Sequence, residues 1–251
     1  MRYYVVTGAS RGIGDAICRI LVNPEHTLLC VSRSDNLELR RAALDGGCAL
    51  HYFRNDLGVT GRIPALMDAV FKRVHTEDAE ALFLVNNAGV VGPVGPLDRV
   101  PLDEVAMNLQ VNLVSVFLLT GEFLRRSNGW NIPRTVLTVS SGAGKHAYDG
   151  WSAYCAAKAG VDMMSRSIAM EQSYRENPAR ILSIAPGVVD TGMQELVRGV
   201  AEEDFHKKRK FVDLHEQGQL VDVEEAANGI ANVLHSPEIE SGSVLDLRDL
   251  N

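Results

Sequence analysis

The 251-residue sequence holds little that points to a membrane, a metal or a nucleic acid. No apolar run approaches the ~20 residues that span a bilayer. The segment from Met1 to Gly8 reads at once as a strand, which leaves no room for a signal peptide. A net charge of −7 provides no broad basic face for nucleic acid. The one basic run, His206 to Lys210, follows Glu202-Glu203-Asp204 and reads as a solvated helix of mixed charge. Cysteine is scarce: Cys18, Cys30, Cys48 and Cys155 lie far apart and form no metal-type or redox-type pair. Two of them fall within apolar periodicity, where a reduced thiol acts as a small hydrophobe. No metal site is expected, and a reducing cytoplasm is the compartment this usage suits. Low-complexity linkers and repeats are also missing, so residues 1–251 are read as a single domain.

What is present alternates. Strand-like segments occur at 3–7, 27–32, 49–54, 81–86, 134–140, 180–185 and 243–247. Several are near-continuous apolar runs, such as Leu82-Phe83-Leu84-Val85 and Val136-Leu137-Thr138-Val139, which suit parallel strands covered on both faces. Helical periodicity follows Ile13, Ala16, Ile17, Ile20 and Leu21 and stops at Asn23-Pro24; further helices are expected over 102–126, 152–174 and 222–234. This order predicts an α/β fold: a Rossmann-like, doubly wound parallel sheet of about seven strands flanked by helices. Ligands should then bind beyond the carboxyl ends of the strands.

The first strand runs into Thr7-Gly8-Ala9-Ser10-Arg11-Gly12-Ile13-Gly14 and then into a helix. Glycines there permit a tight turn and let backbone N–H groups approach a pyrophosphate at the helix N-terminus. The spacing is G-x3-G-x-G rather than the commoner G-x-G-x-x-G, and its place between strand and helix favours a nucleotide over a plain turn. The second strand ends Val31-Ser32-Arg33-Ser34. An NAD site usually places a carboxylate here for the ribose 2′-hydroxyl. Ser32 and Arg33 stand there instead, with Arg11 in the glycine loop, and two guanidinium groups suit a 2′-phosphate. NADPH/NADP+ is therefore the expected cofactor. Asp35 close by, or arginines that are merely solvated, would argue the other way.

The most informative segment is Ser140-Ser141 followed by Tyr154-Cys155-Ala156-Ala157-Lys158. Tyr154 and Lys158 are i and i+4 on an expected helix, on one face and roughly 6 Å apart along the axis. A phenol of pKa about 10 is a poor proton carrier at neutral pH, and a neighbouring ammonium is expected to lower it. Ser141 closes a strand and would donate to a substrate carbonyl; Asn112, on the preceding long helix, would steady a water chain to Lys158. Each residue alone has a plain structural explanation. Their order behind the nucleotide turn carries the signal.

With these residues in view, the sequence resembles the short-chain dehydrogenase/reductase family over essentially its whole length. The resemblance rests on Thr7-Gly8-x3-Gly12-Ile13-Gly14, Asp56-Leu57, Asn86-Asn87-Ala88-Gly89, Asn112, Ser141, Tyr154-x3-Lys158 and Pro186-Gly187-Val188-Val189-Asp190-Thr191. It implies that Asp56 and Leu57 border the adenine and that Asn87, Ala88 and Gly89 line the cofactor. It also implies that Lys158 holds the nicotinamide ribose, that Pro186, Gly187, Val189 and Thr191 contact the nicotinamide, and that Asn112, Ser141, Tyr154 and Lys158 form the catalytic tetrad. A narrower likeness, to the sepiapterin reductase and bacterial benzil reductase branch, is carried by Gly150-Trp151-Ser152-Ala153-Tyr154-Cys155, 185–194, 218–222 and 241–246. That branch reduces vicinal dicarbonyls and related ketones with NADPH, so a carbonyl reductase acting on a small molecule is the implied activity. The same groups would serve an alcohol or hydroxysteroid-type dehydrogenase in the oxidative direction. A dinucleotide-sensing regulator would typically lack the tyrosine or the lysine, and both are present.

The expected substrate pocket comprises Ser141, Tyr148, Trp151, Gly187, Met193 and Asp246. Residues 193–217 read as a lid whose apolar face is Met193, Leu196, Val197, Phe205, Phe211 and Leu214, or else as an ordinary amphipathic helix pair. Trp151 is either an aromatic wall or core packing, and His146 reads as an exposed loop residue. By the branch resemblance Asp246 is a pterin anchor; it reads equally as a cap or an ion-pair partner. In this family the tyrosine helix and the helix over 102–126 often meet across a subunit interface, so a homodimer is expected. Ala153, Ala156, Ala157, Ala159 and Gly160 would allow close helix approach.

Overall fold

The computed structural model describes residues 1–250. Seven strands form one parallel sheet: β1 (Arg2–Thr7), β2 (His26–Ser32), β3 (Ala49–Arg54), β4 (Ala81–Asn86), β5 (Arg134–Val139), β6 (Arg180–Ala185) and β7 (Val244–Asp246). Their spatial order is β3-β2-β1-β4-β5-β6-β7. The chain reverses direction across the sheet between β1 and β4, and a crevice opens at such a switch point. Helices α1 (Gly12–Ile20), α2 (Leu37–Asp45), α3 (Ile63–Phe71), α4 (Leu102–Leu109), α5 (Ser115–Arg126) and α6 (Ser152–Ser173) cross between strands. The short pair α7 (Gly192–Gly199) and α8 (Lys208–Glu216) precedes α9 (Val223–His235).

Strand alternation divides the interior in two. Tyr4, Val6, Leu28, Cys30 and Val85 face α1, α2 and α9 through Ile17, Leu39, Ile230 and Leu234. Their neighbours Tyr3, Val5, Leu29, Val31 and Leu84 face α3 and α5 through Ile63, Met67, Leu119 and Phe123. Both faces of each central strand are thus covered, which is why those runs are continuously apolar.

The structure adds what the periodicity does not reveal. α2 buries only Leu39 and Ala43, too little for a stripe, and starts where the Asn36 side chain accepts from the backbone N–H groups of Glu38 and Leu39. α3 carries Pro64 in its first turn, where a proline costs no helical hydrogen bond. The helix expected over 102–126 is interrupted by a π-helical stretch, Gln110–Val114, between α4 and α5. By length and composition Leu102–Arg126 is apolar enough to cross a membrane, but Asn108, Asn112 and Glu122 interrupt it and are buried in the fold. Its apolarity is divided between two sides: Leu119 and Phe123 are buried in the core, while Met107, Val114, Phe117 and Leu118 are exposed.

Close backbone approach sets the switch point. A Cβ on Gly14 would lie 2.3 Å from the Gly8 carbonyl oxygen and 2.4 Å from the Asn87 amide nitrogen. Overpacking of this kind costs about 1–3 kcal/mol, against about 1 kcal/mol of helix propensity gained by alanine. Gly14→Ala is therefore expected to lower the midpoint of urea unfolding. A raised midpoint would show that the contact relaxes freely.

Candidate active site

A cavity of about 680 Å³ runs along the carboxyl ends of the central strands, within the usual range for small-molecule sites. Its floor is stitched at the switch point. The Thr7 hydroxyl accepts from the backbone N–H groups of Asn87 (3.0 Å) and Ala88 (3.1 Å), and the Asn87 side chain donates to the Thr7 carbonyl at 2.9 Å. Gly8 (φ +70°) and Gly12 (φ +56°) take left-handed conformations that leave the turn open above this floor. The Arg11 side chain does not cap α1, so its first N–H groups suit a ligand.

Gly8, Ser10, Arg11, Gly12 and Ile13 line the cavity, and so do Ser32, Arg33, Asp56, Leu57, Asn87, Ala88 and Gly89. Gly14 does not. It lies beneath the turn, where its missing side chain lets Gly8 and Asn87 close up. Asp35, the residue that would argue for NAD, accepts from Arg40 at 2.6 Å and from Arg54 at 3.1 Å, and these two cations hold its carboxyl below the usual range. Arg11 and Arg33 form no ion pair among the described residues. The floor, the uncapped helix and these two cations fit a dinucleotide with its phosphates.

Further along the cavity lie Ser141, Tyr154 and Lys158, with Pro186, Gly187, Val189, Thr191 and Met193 opposite. Ser141 caps a short 3₁₀ turn at Gly142–Gly144, its hydroxyl accepting from the Ala143 N–H at 3.2 Å. That turn rests on α6: a Cβ on Gly144 would lie 3.0 Å from the Lys158 carbonyl oxygen. Lys158 is 5% exposed and donates to the Val139 carbonyl, the last of β5, at 2.8 Å. Its nitrogen sits 5.6 Å from the centre of the Tyr154 ring.

The electrostatics differ from the sequence expectation. Burial pushes the Tyr154 phenol up to about 12, with the Ser141 hydroxyl beside it working the other way. Burial likewise brings Lys158 down to about 8, opposed by the Asp162 carboxylate. Desolvation governs the phenol, and the pull that opposes it comes from Ser141 rather than from the lysine. Asn112 is corrected too. It lies in the π-helical stretch and does not line the cavity. Its side chain donates to the Val90 carbonyl (2.7 Å) and to Asn108 (2.8 Å) and accepts from the Val90 N–H (2.9 Å). It holds the backbone after Gly89 in place, with both amide hydrogens engaged and one acceptor site of its oxygen left over.

The outer end of the cavity is aromatic. Trp151 stacks on Phe205 (4.8 Å, 16°), meets Tyr154 edge-on (5.6 Å) and adjoins Tyr148 and Phe211. Trp151 is thus both wall and core, a small core that also contains Val91, Ala143 and Val197. Of the apolar face expected for 193–217, Leu196 departs: it is 48% exposed and points away. Asp246 also departs. It is buried outside the cavity lining, with both carboxylate oxygens on Arg248, and Arg248 takes its place on the wall. Sequence reasoning missed Arg248, Gln194, Lys210 and Val91. Only Arg248 had a local signal, lying two residues past an acid at a strand end.

Comparisons with known proteins agree with this geometry. The family model for short chain dehydrogenase matches residues 2–200. The chain is 35% identical over 247 residues to a benzil reductase ((S)-benzoin forming) of Bacillus cereus, covering 98% of each. It is 34% identical over 256 residues to a sepiapterin reductase of Rattus norvegicus, covering 98% of this chain and 96% of the relative. Among solved structures, the KRED1-Pglu enzyme superposes with a TM-score of 0.78 at 33% identity, covering 98% of this chain and 100% of that one. An oxidoreductase site for a nicotinamide dinucleotide and a small carbonyl compound thus lies at the switch point of this sheet, and the chain belongs to the short-chain dehydrogenase/reductase family.

Proposed function

We propose that the protein is an NADPH-dependent reductase of aromatic 1,2-diketones. The observation that carries this reading is the meeting of Ser141, Tyr154 and Lys158 in one cavity, between a dinucleotide-shaped turn and an aromatic end. The dinucleotide, when bound, supplies the hydride. The side chains of Ser141 and Tyr154 hold the carbonyl oxygen, and Tyr154 gives up its phenolic proton as negative charge gathers there. Donors fixed in advance at such an oxygen are worth about 3 kcal/mol each. Burial keeps the Tyr154 phenol protonated through neutral pH, so a proton is available to the developing alkoxide. Lys158, fixed to β5, anchors the ribose and offsets charge developing on Tyr154.

Three features support NADPH. Arg11 and Arg33 face the cavity unpaired, Ser32 stands where NAD enzymes usually place an acid, and Asp35 is engaged by Arg40 and Arg54. For the substrate, the likeness to benzil and sepiapterin reductases and the Trp151, Phe211 and Tyr148 lining support a flat aromatic group. Residues 193–217 cover that group as a lid, with Met193 against Tyr154 at 4.0 Å. One aryl group under the lid and one carbonyl on Ser141 and Tyr154 leave a single face open to hydride, so a single enantiomer of the hydroxyketone results.

A homodimer is the proposed assembly. Met107 on α4, Val114 in the π-helical stretch and Phe117 and Leu118 on α5 are exposed apolar residues, as are Met163 and Met170 on α6. Apolar patches of this kind mark contact surfaces. The four unpaired cysteines suit a reducing cytoplasm.

Tyr154→Phe should lower the rate of benzil reduction by about 10²–10⁴-fold while dinucleotide binding, followed by fluorescence titration, stays intact. Retention of most turnover would overturn the assignment. Arg33→Ala should weaken NADPH selectively, by roughly 1.5–3 kcal/mol for a lost charge-assisted bond; equal losses in kcat/KM for NADPH and NADH would mean that Arg33 does not read the phosphate. Phe117→Glu should halve the mass measured by light scattering. A wild-type protein that is already monomeric would remove the proposed interface.

A further inference from the structure

Among the described residues, the carboxylates that line the cavity are Asp56, at the glycine-turn end, and Asp190, whose carboxylate lies 3.9 Å from Arg198. The outer end carries cationic or titratable donors instead: His146, Lys210 and Arg248. Of these, only Arg248 is held in a fixed geometry. Asp246 is 4% exposed, and among the described residues the hydrogen bonds its carboxylate accepts come from this one residue. Oδ1 accepts from the Arg248 side-chain Nε at 2.8 Å and from its backbone N–H at 3.1 Å, and Oδ2 accepts from Nη2 at 2.6 Å. The side chain nevertheless remains 59% exposed.

Its position follows from two glycines. A Cβ on Gly187 would lie 3.9 Å from the Arg248 side-chain carbons Cγ and Cδ, and one on Gly142 would lie 4.0 Å from Nη2. Gly142 directly follows Ser141, and Gly187 lies in the segment opposite Tyr154. The guanidinium is therefore stretched across the wall beside the site of the reacting carbonyl. Five N–H groups are available to an arginine in a rigid fork. Two are spent on Asp246, which also raises the arginine's pKa and keeps it a permanent cation. Three remain for a ligand. A buried anion that orients an arginine makes it a preorganised donor, which loses little freedom when it binds.

We propose that Arg248, oriented by Asp246, is a specificity-determining residue that binds a second oxygen on the substrate, the carbonyl or carboxylate oxygen vicinal to the carbonyl being reduced. This rests on the carbonyl-reductase reading of the same site and adds what its substrates share. A hydrogen-bond donor at this end, such as a ring N–H, would find a cation; an oxygen acceptor would find the three free N–H groups. Asp246 is then a positioning residue that acts through Arg248.

Three substrates matched in their aryl group separate the contributions: 1-phenyl-1,2-propanedione has a neutral second oxygen, phenylglyoxylate a charged one, and propiophenone none. Steady-state kinetics on the full-length protein with NADPH should show the two-oxygen substrates favoured over propiophenone. In Arg248→Gln that preference, the ratio of kcat/KM values, should fall tenfold or more, mainly through KM. Arg248→Lys should keep the preference for phenylglyoxylate better than that for the diketone, because an ammonium keeps the charge and loses the fork. Asp246→Asn, which releases the arginine, should erode the preference while leaving the arginine in place. A binding measurement provides a second readout: calorimetric titration of phenylglyoxylate into the protein saturated with NADP+ should give a Kd at least tenfold weaker in Arg248→Gln. Whichever substrate loses more identifies the second oxygen as carbonyl or carboxylate, and either result supports the assignment. An unchanged preference and an unchanged Kd in Arg248→Gln would overturn it. If the wild type reduces none of the three, the carbonyl-reductase reading itself fails, a distinct outcome.

Discussion

Lys158 places an ammonium where water scarcely reaches and gives it one fixed partner, the last carbonyl of β5, at 2.8 Å. Taking such a charge out of water costs several kcal/mol even after relaxation, and the cost is visible in a pKa brought down to about 8. The bond ties α6 to the end of β5 at the position where the Ser141 turn begins. Gly144 then lets that turn rest on the Lys158 backbone. Tyr154, one turn earlier on α6, inherits its position from this contact. Register of α6 against the sheet thus decides whether phenol, hydroxyl and ammonium share one cavity, and the lysine that fixes it is itself one of the three.

The same economy appears at the outer end of the cavity. Trp151 ends the loop before α6, and α7, α8 and the segment between them pack on it through Val197, Phe211 and Phe205. Gly150, with φ +71°, allows the backbone between α7 and α8 to come close: a Cβ there would lie 2.5 Å from the Asp204 carbonyl oxygen. Residues 193–217 therefore pack on the residue next to the tyrosine helix and not on a remote part of the sheet. Aromatic contacts of this kind contribute about 0.5–1.5 kcal/mol each beyond burial, so the covering segment and the wall of the pocket stabilise one another.

How much of this was legible in the sequence depends on the range over which each feature is encoded. The glycine turn and Tyr154-x3-Lys158 are local: their spacing alone sets geometry, through the strand-to-helix turn and the helical repeat. The continuous apolar strands were legible because burial on both faces leaves no polar position. α2 and α3 were missed because their starts are written in Asn36 and Pro64 and not in an apolar stripe. Asn112 reads as a polar residue on a helix, and nothing nearby in sequence says that Val90, twenty-two positions earlier, consumes its amide. The Tyr154 pKa went the other way because burial of the phenol, a tertiary property, sets it.

Charge is distributed in the same way, with the local arrangement opposing the total. The chain carries −7 overall, yet Arg11, Arg33, Lys158, Lys210 and Arg248 line the cavity, against Asp56 and Asp190 among the carboxylates. A cationic cleft in an acidic protein concentrates field lines at its mouth and draws anions toward it. Asp35 and Asp246, which stand outside the cavity lining, are each paired with arginines: Arg40 and Arg54 at one end, Arg248 at the other. Around Asp35 both arginines also stay outside the lining. At Asp246 the arginine lines the cavity, so the same pairing keeps an acid engaged at one end and fixes a cation on the wall at the other.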